Sequence, residues 1–412
     1  MAAALLVAIG LAAALLVAQD QQTLRIRSRV PVDDARFPMY LAHLVGHELT
    51  SGDAYVVHTN GADAFPAMLD AIRRAQRRIE FETYIYDSGT VGAQFTSALE
   101  AAARRGVQVR LVFDAIGSNS LTKADRERLE RAGCRIGWVN PVMSRSIEEI
   151  NYRSHRKALV VDGNVAFVGG MGVADQWVQS VHGMPAWRDT QIEIHGPAVA
   201  DIEAAFDQNW ILTGGVVEPR VAAGESASGH AESIVVWSAP EGGANGMKLL
   251  YLLALAGARR EVDIESPYLI TDESSQWSIA DARRRGVRVR MVVDGDRTDA
   301  KVVKYASRAQ YGQLLEEGVD IAEYQPTMMH AKTMVVDGIL SIVGSANFDN
   351  RSLELNDELN VAVFDPLLAS RLLRDFERDL AVSKREDLKE WRSRPLAARG
   401  RDWIWSFFGE VF

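Results

Sequence analysis

The sequence predicts an α/β protein of two similar halves packed about a pseudo-twofold axis, each with a mostly parallel sheet flanked by helices. Three observations predict it. Strand-like and helix-like stretches alternate along most of the chain, the pattern of a sheet covered on both faces. The alternation runs through once and then begins again in the same order. Finally, SHRKALVVDGNVAFVGGMGVAD (residues 154–175) comes back as MHAKTMVVDGILSIVGSANFD (residues 329–349). Two copies are too few for a solenoid, so one duplicated body is the economical reading.

In chain order, residues 1–19 come first. The run MAAALLVAIGLAAALLVA carries no charged side chain, and as a helix it spans roughly 27 Å, enough for one membrane crossing. With no basic residues before it and no small-x-small site after it, it reads as an anchor rather than a cleaved signal. Arg25, Arg27 and Arg29 follow it, which places the rest of the chain on the cytoplasmic side. His43 and His47 are four apart, but Leu44 stands where a zinc-protease helix needs glutamate, so a half-exposed helix is expected there.

The first half is expected over residues 35–213. FPAMLDAIRRAQRR has helical spacing, with Phe65, Met68, Leu69 and Ile72 on one face. IEFETYIYD reads as a strand, VGAQFTSALEAAARRG as a helix stopped by Gly106, and VQVRLVFD as a strand leading into the turn AIGS. Residues 214–232, rich in Gly, Ser and Ala, read as a linker. The second half, residues 233–385, repeats the order with MKLLYLLALAGARR, EVDIESPYL, ADARRRG and VRVRMVVDG. The landmarks keep step: Glu82 and Glu265 lie 183 apart, Gly106 and Gly286 180, His155 and His330 175. Residues 386–412 form a basic and aromatic tail that suits the interface of an anionic bilayer or, alternatively, packs on the protein's own body. The one cysteine, Cys134, reads as a buried small apolar residue.

The repeated stretch carries the chemistry. His155, Lys157 and Asp162 follow H-x-K-x4-D, with Gly169 beyond; His330, Lys332, Asp337 and Gly344 repeat every offset, in a chain with only eight histidines. Side chains two apart on a strand share a face, so each histidine stands with its lysine. An imidazole titrating near neutrality serves as nucleophile or proton shuttle, and an ammonium beside it receives phosphate oxygens. That is the equipment for displacement at phosphorus. A lysine beside each histidine repels a divalent cation and no cluster of metal ligands accompanies either motif, so neither metal nor other cofactor is expected.

The two motifs resemble the HKD signature of the phospholipase D superfamily, and the flanking WRDTQIEIHGPAV and GSANFDNRSLELNDELN resemble its bacterial cardiolipin synthase branch. The resemblance covers roughly residues 35–385 and implies the two-half fold already read from the duplication. It also implies His155 as nucleophile and His330 as acid and base, although the duplication by itself is symmetric. Lys157 and Lys332 are then expected to hold phosphate oxygens, joined by Ser345 and by Asn347, which meets the family pattern ten residues after the motif aspartate. Gly172 takes that place in the first copy.

A histidine in such a site needs a carboxylate to fix its tautomer. Aligning TQIEI with LNVAV sets Asp189 opposite Glu358, each downstream of its own histidine, so Asp189 is expected to serve His155 and Glu358 to serve His330. Asp162 and Asp337 belong to the motif, but each precedes a glycine and suits a turn at the strand end. Glu82 and Glu265, on equivalent strands, are either partners of the site or polar groups in the core.

The expected activity is phosphatidyl transfer between phospholipids, or to an alcohol, through a phosphohistidine. A hydrolase using water, phospholipase or nuclease, shares that intermediate; a non-catalytic membrane protein on an inherited fold is the third reading. Phospholipid is the expected substrate and an anionic membrane, the bacterial inner membrane, the expected partner. A net charge of −9 speaks against broad nucleic-acid binding. Head group, acceptor and oligomeric state leave no mark in the sequence.

Overall fold

The computed structural model describes residues 23–140, 152–217, 229–238 and 246–406. The first half contains α1 (Phe37–Val45), β1 (Thr50–Thr59), α2 (Gly61–Arg74), β2 (Arg78–Thr83), α3 (Thr90–Arg104), β3 (Gln108–Asp114), α4 (Lys123–Ala132) and β4 (Arg135–Val139). It continues with β5 (Ala158–Val161), β6 (Val165–Gly169), β7 (Thr190–His195) and α5 (Ala198–Leu212). The second half has β8 (Ala231–Trp237), α6 (Gly246–Gly257), β9 (Glu261–Glu265), α7 (Glu273–Arg284), β10 (Arg288–Asp294), α8 (Lys301–Glu316) and β11 (Asp320–Tyr324). After them come β12 (Thr333–Val336), β13 (Leu340–Gly344), α9 (Asn350–Glu354), β14 (Leu359–Phe364) and α10 (Pro366–Ala381). The short β15 (Ser383–Arg385), α11 (Leu388–Arg392) and α12 (Leu396–Ser406) close the chain's described part.

The strands bond in the order β4-β3-β2-β5-β6-β7-β1-β8-β14-β13-β12-β9-β10-β11-β15, which reads almost alike from either end. The duplication seen in the sequence is therefore a duplication of topology. One expectation needs correcting: the sheets are not mostly parallel. Among the described strands, only β2-β3-β4 and β9-β10-β11 run parallel. The motif strands pair antiparallel, β5 with β6 and β12 with β13, because the two-residue turns at Asp162-Gly163 and Asp337-Gly338 send the chain straight back.

Alternation along these strands divides the core in three. Leu159 and Val161 face the first half's own core with Phe65, Met68, Leu69 and Ile72 of α2. Met334 and Val336 face that of the second half. Ala158, Val160, Val335, Val343 and Val361 instead meet in a shared core, closed by Ile202 of α5 and Leu368 and Leu372 of α10. Pro366 begins α10, where its missing N–H costs nothing, and the Asp365 carboxylate caps the Leu367 amide at 2.7 Å. The halves are joined by apolar burial, so the residues at the end of this shared core are held rigidly.

The expected helix over residues 1–19 and residues 407–412 of the tail lie outside the described residues, as does most of the linker, whose last residues already belong to β8. The rest of the tail lies on the body. The Arg394 guanidinium sits 3.2 Å from the Trp391 ring centroid and that of Arg401 3.9 Å from that of Tyr305 on α8, while Trp403 and Ile404 are 62% and 53% exposed. His43 is exposed on α1; His47 lies past its end, edge-on to Trp237 at 4.3 Å. Cys134 is buried and unpaired.

Candidate active site

Each HKD histidine stands in the extended lead-in to a strand rather than on the strand itself: β5 begins at Ala158 and β12 at Thr333. These lead-ins pair with the opposite half. The His155 amide donates to Asp357 O at 2.8 Å and the Asp357 amide to Arg153 O at 2.9 Å; the His330 amide donates to Arg188 O at 2.7 Å and the Arg188 amide to Met328 O at 2.9 Å. Asp114 and Asp294, at the ends of β3 and β10, secure the same segments by accepting from the amides of Ser154 and Met329 at 3.1 and 2.7 Å. A terminal aspartate at the same place in both copies was a signal in the sequence that our reading of the motifs passed over.

This exchange overturns the expected pairing of carboxylates. His155 Nδ1 meets Glu358, at 3.0 and 3.1 Å from its two oxygens, and His330 Nδ1 meets Asp189 Oδ2 at 2.8 Å. Each acid serves the histidine of the other half, because the residue before it bonds to that histidine's backbone. With Nδ1–H held by a carboxylate, Nε2 is left as the reacting nitrogen in both rings.

The supports of the two acids differ. Ser345 Oγ donates to Glu358 at 2.6 Å, whereas Asp189 takes a bond from the Trp177 indole at 2.8 Å and another from the Thr190 amide at 2.8 Å. Gly170 occupies the place of Ser345 in the first half, and a Cβ there would collide with the Asp189 carboxylate. Trp177 replaces the missing hydroxyl from elsewhere in the chain. The expectation that Ser345 holds phosphate is thus corrected: the residue is fully buried and its only proton goes to Glu358. Asn347 is buried next to Asp349, with its amide bonded to that carboxylate. At Gly172, its counterpart, a Cβ would press on Ile85 and the Trp177 ring.

Lys157 and Lys332 curl back so that each ammonium donates to the carbonyl of its own histidine at 2.6 Å. Burial pushes Lys157 down to about 7 and Lys332 down to about 8; Glu358 and Asp189 oppose the shift, and the two ammonium groups face each other closely enough for Lys332 to add to the lowering at Lys157. Burial also lowers both histidines, His330 to about 3 with Lys332 adding to it, so both imidazoles are neutral at pH 7. Against the opposing effect of burial, His155 and Lys157 hold Glu358 at about 2, and His330 likewise holds Asp189 below its ordinary value. Burial thus disfavours every positive charge in the site, and a phosphodiester between the lysines opposes this: its charge favours the ammonium forms and lets one histidine take up a proton.

The histidines differ in setting. His155, 13% exposed, stands edge-on to Tyr84 with centroids 5.2 Å apart. His330, 8% exposed, lies against Trp177 and Trp187 at 5.6 and 5.4 Å. Tyr84, Trp177 and Trp187 were not anticipated, since none belongs to a repeated pattern.

Asp162 and Asp337 are far from this chemistry, at the opposite ends of β5 and β12, and their inclusion among catalytic residues is corrected. Asp162 accepts from the amides of Gln76, Arg77 and Arg78, and Asp337 from those of Arg259, Arg260 and Glu261, at 2.7 to 2.9 Å. Glu82 and Glu265 lie beside the motif strands, paired with Ala158 and Thr333. Glu82 accepts from Ser154 and Asn209 at 2.7 and 2.6 Å, and Glu265 from Thr333 at 2.9 Å. Among the described residues no group of three or more His, Cys, Asp or Glu is arranged to hold a metal ion.

Known proteins resemble this chain in sequence and in fold. The profile of a family described as cardiolipin synthase, PLD-like domain, matches residues 68–210 and 251–380. The cardiolipin synthase of Geobacillus kaustophilus (strain HTA426) is 33% identical over 381 residues, which are 90% of this chain and 75% of that protein. The major cardiolipin synthase of Bacillus subtilis (strain 168) is 32% identical over 370 residues, 88% of this chain and 76% of its own. Among solved structures, the phosphatidylserine synthase of Haemophilus influenzae Rd KW20 superposes on 92% of this chain and all of its own with a TM-score of 0.71 at 13% identity, a likeness of fold.

Proposed function

Because the chain belongs to the phospholipase D-like family of cardiolipin synthases, we propose that it is a phosphatidyltransferase that moves a phosphatidyl group between phospholipids, or to an alcohol, by double displacement on histidine. Its substrates are phospholipids. The observation that carries the mechanism is the pair of His–carboxylate couples, each joining a histidine of one half to an acid of the other, with two buried lysines beside them. Neutral His155, its Nδ1–H held by Glu358, attacks phosphorus through Nε2 while Lys157 and Lys332 balance the charge on the non-bridging oxygens. His330, protonated with the bound phosphodiester beside it, gives its proton to the departing alkoxide, then takes one from the incoming hydroxyl, which displaces His155.

The setting we propose is the bacterial inner membrane, with residues 1–19 as anchor and the catalytic halves on the cytoplasmic side. Among the described residues no helix is long and apolar enough to cross a membrane.

Quenching the enzyme in mid-turnover with a phospholipid labelled in its phosphatidyl group tests the covalent step. Mass spectrometry is expected to find the label on the peptide carrying His155. Label on the peptide of His330 would reverse the assignment, and inversion of configuration at phosphorus in the product would exclude double displacement.

A further inference from the structure

Duplication leaves the two His–carboxylate couples alike, yet the residues next to them differ. Arg156 stands between His155 and Lys157, where the second copy has Ala331; Arg188 stands before Asp189, where the second copy has Asp357 before Glu358. Each couple therefore has one arginine beside it. The motif itself brings it to His155, and the segment carrying the acid brings it to His330. Ala331 packs into an apolar cluster with Phe376 and Leu380, so the fold closes at that place without a guanidinium. The need for one lies with the couples.

Both arginines are buried, which is costly for a guanidinium unless it is paired or bonded. Arg156 Nη1 donates to Ala205 O on α5 at 2.6 Å, and its Nη2 donates to Gln208 Oε1 at 2.7 Å and to Ser238 O, just past β8, at 2.6 Å. Ser238 continues to the acid. Its amide donates to Glu358 O at 3.1 Å, and its hydroxyl accepts from the Glu358 amide at 3.1 Å while donating to Asn356 O at 3.0 Å. Arg188 works on its own segment. Its Nη1 donates to Asp189 O at 2.7 Å and to Thr190 Oγ1 at 2.8 Å, its Nε donates to Asp379 Oδ2 on α10 at 2.7 Å, and its Nη2 lies 3.6 Å from Glu265 on β9. One guanidinium thus fixes the backbone of Asp189 against two elements of the opposite half.

We propose that Arg188 and Arg156 are positioning residues that aim the two acids separately, Arg188 setting Asp189 on His330 and Arg156, through Ser238, setting Glu358 on His155. The inference rests on the double displacement proposed above. Both arginines act through the acids and not on the substrate. The extended lead-in turns Arg156 to the face opposite His155 and Lys157, and the bonds of Arg188 run to Asp189, Thr190 and α10. A guanidinium suits the task better than an ammonium, because its planar fork holds separated acceptors at fixed angles. The two couples are therefore adjustable one at a time, although they share a seam.

The test uses R188K and R156K, which keep the buried charge but give up the fork, beside wild type in rapid quench with a labelled p-nitrophenyl phosphatidyl donor. R188K is expected to form the phosphohistidine near the wild-type rate and to discharge it to an alcohol about 10- to 100-fold more slowly, so that it accumulates. R156K is expected to form it about 10- to 100-fold more slowly, without accumulation. An arginine that only supported the fold would slow both steps alike. That result, or wild-type rates for both steps in both variants, overturns the proposal. Formation of the intermediate shows that R188K is folded. Should either lysine variant fail to fold, D379A, which frees the Arg188 fork from α10, and S238A, which removes the hydroxyl that holds the Glu358 segment, are read in the same way. If wild type forms no labelled histidine, the double displacement falls and this inference with it, whereas labelled wild type with equal slowing in the variants removes this inference alone.

Discussion

At the scale of single residues, the exchange of carboxylates between halves decides how the two histidines can be told apart. Glu358 orients His155 and Asp189 orients His330, so removing each acid weakens a different step. An activated leaving group such as p-nitrophenol needs no proton in order to depart. With such a donor, D189N should still form the phosphohistidine at a rate near wild type and then discharge it slowly, so that the intermediate accumulates. E358Q should form it about 100- to 10,000-fold more slowly, as loss of a tautomer-fixing carboxylate does elsewhere. Rapid quench with a labelled donor measures both. The opposite pattern, accumulation in E358Q, would make His330 the nucleophile and His155 the acid and base. The residues involved were legible in the sequence and their partnership was not. Spacing along the chain assigns each acid to its own half, whereas the bonds from His155 to Asp357 and from His330 to Arg188 exist only once the halves meet.

At the scale of elements, the α/β class and the duplication were legible because helical periodicity and apolar runs recur in order. The antiparallel half of each sheet was not, although Asp-Gly between two short apolar runs is a hairpin signal. The same turn explains the motif aspartates. Asp162 and Asp337 take left-handed φ values of 56° and 53° and gather three backbone amides apiece from the start of β2 or β9. Their carboxylates tie the two parts of the sheet together. D337A, at the more buried of the two turns, should lower stability by about 2–4 kcal/mol, and D162A by about 1–2 kcal/mol. Urea denaturation measures this, and kcat per folded molecule should stay within a few-fold of wild type. A D337A protein as stable as wild type but with turnover as low as that of H330A would show that the aspartate acts in the chemistry after all.

At the scale of the whole molecule, the site lies at the seam of two halves that share one core, so its geometry depends on the fold as a unit and not on the segment that precedes it. The first described residues, which follow that segment, lie on α7 of the second half. Thr23 Oγ1 donates to Glu273 at 2.9 Å, the Leu24 amide to Ser274 Oγ at 3.0 Å, and the Arg27 guanidinium lies 5.5 Å from the Trp277 ring centroid, all on α7. With residues 1–19 as the proposed anchor, the catalytic body is held at the surface that carries its substrate. An apolar helix of that length inserts almost irreversibly, and confinement raises the effective concentration of enzyme at the lipid by orders of magnitude. Deleting residues 1–19 should therefore separate two quantities that a damaged site would lower together. On a monomeric short-chain phospholipid, kcat/KM should stay within about twofold of the full chain, since no group of the seam is touched. On vesicles, activity at equal enzyme concentration should fall about 10- to 100-fold, and the protein should move from the pelleted to the supernatant fraction. Equal losses on both substrates would show that residues 1–19 support the fold, and full activity on vesicles would show that another surface, such as the helix carrying Trp403 and Ile404, holds the protein to lipid.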